Sequence, residues 1–312
     1  MLDVLNIIGT IFVLIALGWG LAAARVFRRE DLLAMGRFVV QIALPALILR
    51  AMSERDLHEV LAPSYMAAYC LGGLGVIAAG YALSRLVLRR GPMAATFHAM
   101  GMSCPNSGFV GYPVMVMVLP ALAPQVLAMN MVVENIVFIP LLLALAERAA
   151  GTASGGRLVR DTALRLARTP LMVALVVGVV LSLTGLALPQ VLAAPVKLLS
   201  TASAPLALVA IGGTLYGLSL RAVDLGVAAV VAGKLFVMPL LVLGALALVQ
   251  ALGLPPLSPD LTRALTLSAA MPAITIYPLL AQRHGRGDDA ALALLVMTLL
   301  SFFTLTALLL LT

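Results

Sequence analysis

The chain has 312 residues, 62% of them hydrophobic and only 11% charged, with a mean hydropathy of +1.12. A soluble domain carries about a quarter charged residues, so a soluble enzyme or binding module is excluded and an all-α polytopic membrane protein is predicted. The excess of 20 Lys and Arg over 13 Asp and Glu falls in short clusters between apolar runs, a pattern that marks membrane topology rather than a nucleic-acid surface.

In chain order, apolar runs long enough to cross a bilayer occur near residues 4–24, 32–52, 63–87, 93–118, 124–146, 170–187, 195–217, 224–250, 261–282 and 289–311, which makes ten predicted spans. The first starts at Asp3 rather than at a basic cluster, so Ala22-Ala23-Ala24 is not read as a processing site. The segment is predicted to be a spanning helix with no cleaved targeting sequence. Basic residues then set the orientation. Loops one-two, three-four, five-six, seven-eight and nine-ten hold Arg25, Arg28, Arg29, Arg37, Arg85, Arg89, Arg90, Arg148, Arg157, Arg160, Arg165, Arg168, Arg221, Arg283 and Arg286. The opposite side holds Arg50, Arg55, Lys197 and Arg263. Fifteen against four places the first set in the cytoplasm and both termini outside.

Two of the runs break at their midpoints. The run from Met93 to Val118 is interrupted by Ser103-Cys104-Pro105-Asn106-Ser107-Gly108, and the run from Leu261 to Gln282 by Ala270-Met271-Pro272-Ala273, with Thr275 just beyond. A proline inside a helix leaves carbonyls unpaired, which in hydrocarbon costs several kcal/mol unless protein, water or a ligand supplies partners. Paired interruptions in the two halves of a membrane protein point to a transport site. At the first break Asn106 both donates and accepts, Ser107 is placed to cap the following half-helix, and Gly108 and Gly111 allow close backbone approach. The N–H groups that begin that half-helix favour an anion. The second break has fewer polar side chains, Ser268 and Thr275, so its contribution is expected mainly from backbone groups around Pro272 and Ala273.

Five spans precede the segment 148–169 and five follow it, so residues 1–147 and 170–312 are read as two five-helix repeats of inverted topology. Leu44-Pro45-Ala46-Leu47 has a counterpart in Ala204-Pro205-Leu206-Ala207, and Tyr112-Pro113 in Tyr277-Pro278. Within the linker, Arg157, Arg160, Arg165 and Arg168 alternate with Leu158, Val159, Leu164 and Leu166. That stretch fits either a short helix on anionic headgroups or a plain cytoplasmic connection.

Charges inside spans are costly and usually functional. Glu134 lies midway along span five and Lys234 midway along span eight. Two readings fit them: a structural ion pair, or Lys234 attracting an anion while Glu134 carries a coupling proton. His98 in span four is a second proton-relay candidate, against the simpler reading of a hydrogen-bonded histidine. Gly72, Gly73, Gly75 and Gly80 in span three, with Gly212 and Gly213 in span seven, suggest close helix contacts. Cys70 and Cys104 read as buried hydrophobes, and Trp19 and most of the methionines as packing or interfacial residues. His58, His98 and His284 are too far apart for a zinc site. No P-loop or GxGxxG run occurs. A hydrolase built on Ser103 and His98 lacks a third group, so no enzyme and no cofactor are expected.

The run Gly101-Met102-Ser103-Cys104-Pro105-Asn106-Ser107-Gly108-Phe109-Val110-Gly111-Tyr112-Pro113 resembles the auxin efflux carrier family. That family's Asn-x-Gly-Phe-x-Gly-x-Pro pattern stands here as Asn106 to Pro113. Pro45, Lys234 with Pro239, and Pro272 extend the resemblance over essentially the whole chain. Bacterial members include malonate and malate permeases, and the family is similar to the bile acid/arsenite/riboflavin transporter superfamily. The resemblance implies ten helices in two inverted repeats, with spans four and nine crossing at their breaks. It further implies a scaffold of spans one, two, six and seven, a moving unit of spans three to five and eight to ten, and homodimers formed through the scaffold. The long central loop of many plant members is missing, so regulation by phosphorylation there does not carry over.

The expected function is secondary transport of a small organic anion such as malonate or malate across the bacterial inner membrane, in an elevator-like motion. Asn106, Ser107, Gly108, Pro105, Pro272, Ala273, Thr275 and Lys234 are the expected substrate contacts, and Glu134 and His98 the coupling candidates. A facilitative channel or uniporter, and a sodium-coupled symporter of the bile acid type, are the alternatives; an acidic cluster that would favour sodium is missing beside the breaks. The expected partners are therefore the anion, membrane lipid and a proton or sodium ion, with no nucleic acid.

Overall fold

The computed structural model describes residues 2–53, 62–151, 164, 168–186, 188–217, 223–275, 277–282 and 285–311. Among these the regular structure is helical, and no strand longer than one isolated bridge occurs. Most of the basic linker, together with Arg55, His58, Arg221, Arg283 and His284, lies outside the described residues.

The helices are α1 (Leu2–Ala23), α2 (Arg29–Phe38), α3 (Leu44–Ser53), α4 (Pro63–Ala82), α5 (Pro92–Ser103), α6 (Tyr112–Val118), α7 (Ala123–Val133) and α8 (Ile139–Ala150). After the linker come α9 (Pro170–Thr184), α10 (Gln190–Leu215), α11 (Leu225–Ala232), α12 (Met238–Ala251), α13 (Pro259–Ala270), α14 (Tyr277–Gln282) and α15 (Gly287–Leu311). Counting helices that run on through their bends, six segments are long and apolar enough to cross a membrane: Glu30–Ser53, Pro63–Val87, Ala123–Ala150, Gln190–Leu215, Leu225–Ala251 and Gly287–Leu311. Outward-facing apolar side chains such as Val13, Leu86, Val191 and Phe236 are more than half exposed, as a lipid-facing surface requires.

Starts and stops follow local chemistry. Asp224 accepts from the Val227 N–H at 2.7 Å at the head of α11. Ser258 does the same for Leu261 at 3.2 Å before α13, with Pro259 as the first helical residue. Gly151 and Gly185 close α8 and α9 in the left-handed conformation.

Five π turns interrupt the described helices: Val39–Ala43, Leu83–Val87, Ser107–Gly111, Glu134–Phe138 and Gly233–Val237. Four of them are followed by one residue and then a proline: Pro45, Pro113, Pro140 and Pro239. A proline cannot donate, and its ring collides with the carbonyl four residues back. Widening the turn by one residue relieves that collision. Accordingly, the N–H groups of Leu44, Ile139 and Met238 reach back five residues, to the carbonyls of Val39, Glu134 and Gly233. By contrast, α10 runs unbroken through Pro195 and Pro205.

The chain forms two compact units. The first comprises Met1–Ala62, Gly108–Met129 and Arg165–Gly217, and the second Pro63–Ser107, Asn130–Leu164 and Leu218–Thr312. In the first, α1 and α10 touch backbone to backbone: a Cβ on Gly212 would lie 1.8 Å from the Ile15 carbonyl oxygen, and one on Gly18 1.9 Å from that of Val209. Only glycine permits that approach. Trp19, half exposed, stacks edge-on against Tyr216 at 5.8 Å. In the second unit, α4 presents Gly72 to Val242 of α12 and Gly73 to the Phe138 ring, each at a separation no Cβ would tolerate. Gly80 meets the Met102 sulfur in the same way, whereas Gly75 makes only ordinary contact with Leu241.

Candidate functional site

Both interrupted runs stop where the sequence predicts, and for one reason. The residue before a proline is driven out of the helical region. Cys104, before Pro105, is extended (φ −96°, ψ 101°), and so is Met271 before Pro272 (φ −63°, ψ 147°). The two extended stretches pair with each other as an antiparallel bridge between Pro105 and Ala273. The Asn106 N–H donates to the Pro272 carbonyl at 2.8 Å, and the Ile274 N–H donates to the Cys104 carbonyl at 2.9 Å. In this geometry the flanking residues make the hydrogen bonds, so Pro105 sits at a position that needs no donor. Each break thus supplies backbone partners that the other lost. The crossing is buried: Ala273 and Met271 are fully enclosed, and Asn106 and Ser107 are each 4% exposed.

Side chains add to this frame. Asn106 Nδ2 donates to Thr275 Oγ1 at 2.7 Å, a second link between the breaks. Ser107 Oγ donates at 2.5 Å to Glu134 Oε1, and the Tyr69 hydroxyl donates at 2.7 Å to the same oxygen. Ser107 is therefore engaged with a buried carboxylate of the same unit. The Asn106 N–H is likewise committed to Pro272, so the first N–H after the break does not await an anion.

Glu134 and Lys234, both completely buried, each sit on a π turn in the second unit. π turns in membrane helices often mark functional sites. Among the described residues the two do not pair. Glu134 accepts from two hydroxyls, while Lys234 Nζ donates to the Ala269 carbonyl at 3.0 Å and to the Met238 sulfur at 2.7 Å. The carbonyl of Ala269 is in the last turn of α13, one of the acceptors that a helix end leaves without a partner. A cation there also complements the negative end of the helix dipole.

Of the remaining predicted residues, Pro272 and Ala273 are in the crossing itself. Gly108 belongs to the first unit, where a Cβ would come within 3.0 Å of Leu44 Cδ1. His98 is five residues before the end of α5, about 8 Å along the axis. There its Nδ1 is 2.8 Å from Ser84 Oγ, and its ring lies against Gly226. It is a hydrogen-bonded histidine toward the Arg90–Asp224 ion pair (2.7 Å), and it is not part of the crossing. Ser103 Oγ donates to the Ala99 carbonyl at 2.7 Å, so it makes no pair with His98. Metal-binding groups of three or more His, Cys, Asp or Glu do not occur among the described residues.

Three buried residues, Tyr65, Tyr69 and Asn130, join this network without having been singled out from sequence. The Tyr65 hydroxyl donates to Asn130 Oδ1 at 2.9 Å and lies 3.2 Å from Ser268 Oγ, and Tyr69 completes the set. The available signal was two tyrosines four residues apart within a span, a spacing that puts both on one helix face.

A family model described as "Membrane transport protein" matches residues 4–309, nearly the whole chain. The chain belongs to this family. Its members include the auxin efflux carriers that the Asn106–Pro113 run resembles. A protein of Rhizobium meliloti (strain 1021) named "Putative malonate transporter" is 27% identical over 312 residues, covering 99% of this chain and 96% of that protein. Membership in the membrane transport protein family makes this a multi-pass membrane transporter with a small-molecule substrate. It also assigns the polar crossing to a class of protein whose work is moving solutes.

Proposed function

We propose that the chain is a secondary active transporter of a small dicarboxylate of the malonate or malate class, working by alternating access in an elevator-like motion. One observation carries the reading: two broken helices, α5–α6 and α13–α14, are joined at their breaks by reciprocal backbone hydrogen bonds and the Asn106–Thr275 link. The similarity to a protein named for malonate supports the substrate class. The anion contacts Asn106, Thr275 and the backbone around Pro105, Ser107, Gly108, Pro272 and Ala273, and it enters by exchanging with the Asn106–Thr275 hydrogen bond. Lys234, at the end of α13, supplies positive field behind that position. Glu134 carries the coupling proton.

In this reading there are ten crossings in two inverted repeats, with both termini outside the bacterial inner membrane. Spans one, two, six and seven serve as scaffold and dimer interface, and spans three to five and eight to ten as the moving unit. The partition of contacts, which groups α1, α2, α3, α9 and α10 in one unit and α4, α5, α8 and α11–α15 in the other, supports this division, except that α6 and most of α7, from spans four and five, group with the first. Sodium coupling through the second break is disfavoured, because the Lys234 amine already serves the Ala269 carbonyl.

The test is a thermal-shift panel of mono- and dicarboxylates on the purified protein, because a ligand that binds the native state raises its stability. Malonate or malate is expected to give the largest shift, and a flat response to all dicarboxylates overturns the substrate assignment. Saturable malonate counterflow in proteoliposomes is expected of a carrier; high ion conductance overturns it in favour of a channel.

A further inference from the structure

Neither break is held in place by its own helix alone. Tyr65 and Tyr69 lie one turn apart on the same face of α4, and both are fully buried. Tyr69 reaches Glu134, whose same oxygen accepts from Ser107, the second residue past Pro105. Tyr65 reaches Ser268, four residues before Pro272, and Asn130 on α7. Packing fixes both rings: they are 6.2 Å apart, Tyr69 is 5.8 Å from Phe138, and Phe138 closes onto Gly73 of the same helix. Helix α4 therefore reaches the first break through Tyr69 and Glu134 and the second through Tyr65, with both rings packed among aromatic neighbours.

We infer that Tyr65 and Tyr69 are positioning residues: α4 acts as a splint that holds the two breaks in register, so that the crossing travels as one body. The inference rests on the crossing being the transport site. Tyr69 acts through Glu134 and Ser107, and Tyr65 through Ser268. The hydroxyls matter, rather than the rings, because the rings alone make no bond to either break. Losing one hydroxyl should let the corresponding break separate from its partner while the rest of the unit keeps its packing.

Cys104 provides a reporter that does not depend on the substrate. Its side chain is 2% exposed and its carbonyl accepts from Ile274 across the crossing, so a loosened crossing exposes it. In a Cys70→Ala background, the rate of N-ethylmaleimide labelling at Cys104 would be measured for Tyr65→Phe, Tyr69→Phe, Ser268→Ala and, for comparison, Val242→Ala. Val242 is fully buried against Gly72 of α4 and its aliphatic side chain makes no hydrogen bond, so it reports general loosening of the unit. The three network variants should label about tenfold faster than the background, the change expected when one buried hydrogen bond no longer opposes local opening. Val242→Ala, compared at the same loss of Tm, should not. Tyr65→Phe and Ser268→Ala should fall short of additivity because they cut the same link. Ser268→Ala therefore stands in if Tyr65→Phe does not fold.

Unchanged labelling in the network variants overturns the inference. So does labelling that follows Tm in all variants, Val242→Ala included. A parallel malonate counterflow assay separates the two failures. If the wild-type protein does not exchange malonate, the substrate reading fails while the labelling result still stands. If it does, Tyr69→Phe should lower maximal exchange more than it raises the half-saturating malonate concentration, and an unaltered exchange rate counts against the splint.

Discussion

The two breaks share a backbone solution and differ in everything attached to it. At the first, side chains do the fastening: Asn106 reaches Thr275, and Ser107 reaches Glu134. At the second, the fastening comes from outside the break, with Lys234 on the carbonyl of Ala269 and Tyr65 beside Ser268. The first break therefore offers exchangeable amide and hydroxyl groups to a ligand, whereas the second is a helix end whose spare acceptor has been satisfied by an amine. Unequal halves of this kind give the proposed site a polar end and a structural end, so its two sides present different chemistry to one anion.

The largest effect that would test this difference is at Lys234. If the amine only completed the end of α13, Lys234→Met would leave the Ala269 carbonyl unpaired and cost about 1–3 kcal/mol. Yet keeping an amine in a dry interior with no carboxylate partner costs several kcal/mol by itself, more than the hydrogen bond returns. Stability should therefore hold or rise in Lys234→Met, while malonate exchange is abolished. A falling Tm with exchange retained would reduce Lys234 to a helix cap and remove the functional side of the comparison.

Asn106→Ala comes next. A hydrogen bond to a charged group is worth about 1.5–3 kcal/mol, so the dissociation constant for malonate, measured by isothermal titration on purified protein, should rise about ten- to hundredfold. The backbone pairing does not involve this side chain, so folded yield should be preserved. Equal affinity in the variant would place the substrate elsewhere.

Glu134→Gln sharpens the same contrast by separating coupling from binding. The amide oxygen of glutamine can still accept from both Ser107 and Tyr69, so the first break keeps its fastening. Exchange at a single pH should fall only a few-fold, but its dependence on pH should disappear, because the residue no longer exchanges a proton. A pH profile identical to wild type in proteoliposomes would take Glu134 out of the mechanism and leave it a hydrogen-bonding anchor.

Much of this arrangement could be read from the residues themselves. Pro105 and Pro272 located the breaks because the rule for pre-proline residues is local. Glu134 and Lys234 stood out because charge is rare in a span. Other features were not local. Nothing in the chain near Lys234 says that its amine meets a carbonyl 35 residues away rather than Glu134, and Tyr65 and Ser268 are 203 residues apart. Tyrosine in an apolar run reads as packing or interface until a partner is known. The π turns lie between these cases: the Leu44-Pro45, Tyr112-Pro113, Ile139-Pro140 and Met238-Pro239 pairs are local, but a proline is as compatible with an unbroken helix, as Pro205 shows. Whether the turn widens depends on the neighbours that pack around it.

The smallest effect, and the most discriminating for the first break, is at Thr275. Thr275→Val keeps shape and volume while removing the oxygen that accepts from Asn106. In the unliganded protein this loses one hydrogen bond, about 0.5–1.5 kcal/mol. If the anion enters by exchanging with that contact, the bound state has already given it up. The penalty then falls on the empty site alone, and malonate should bind slightly tighter, by up to about tenfold. If Thr275 also holds the anion once its bond to Asn106 has opened, as the proposed set of contacts has it, affinity should instead weaken by a similar factor. Titrating malonate into Thr275→Val and Asn106→Ala side by side therefore decides from the sign of one change. Opposite signs mean that Asn106 binds the anion while Thr275 holds its place; matching losses mean that both breaks contribute a side chain to the substrate.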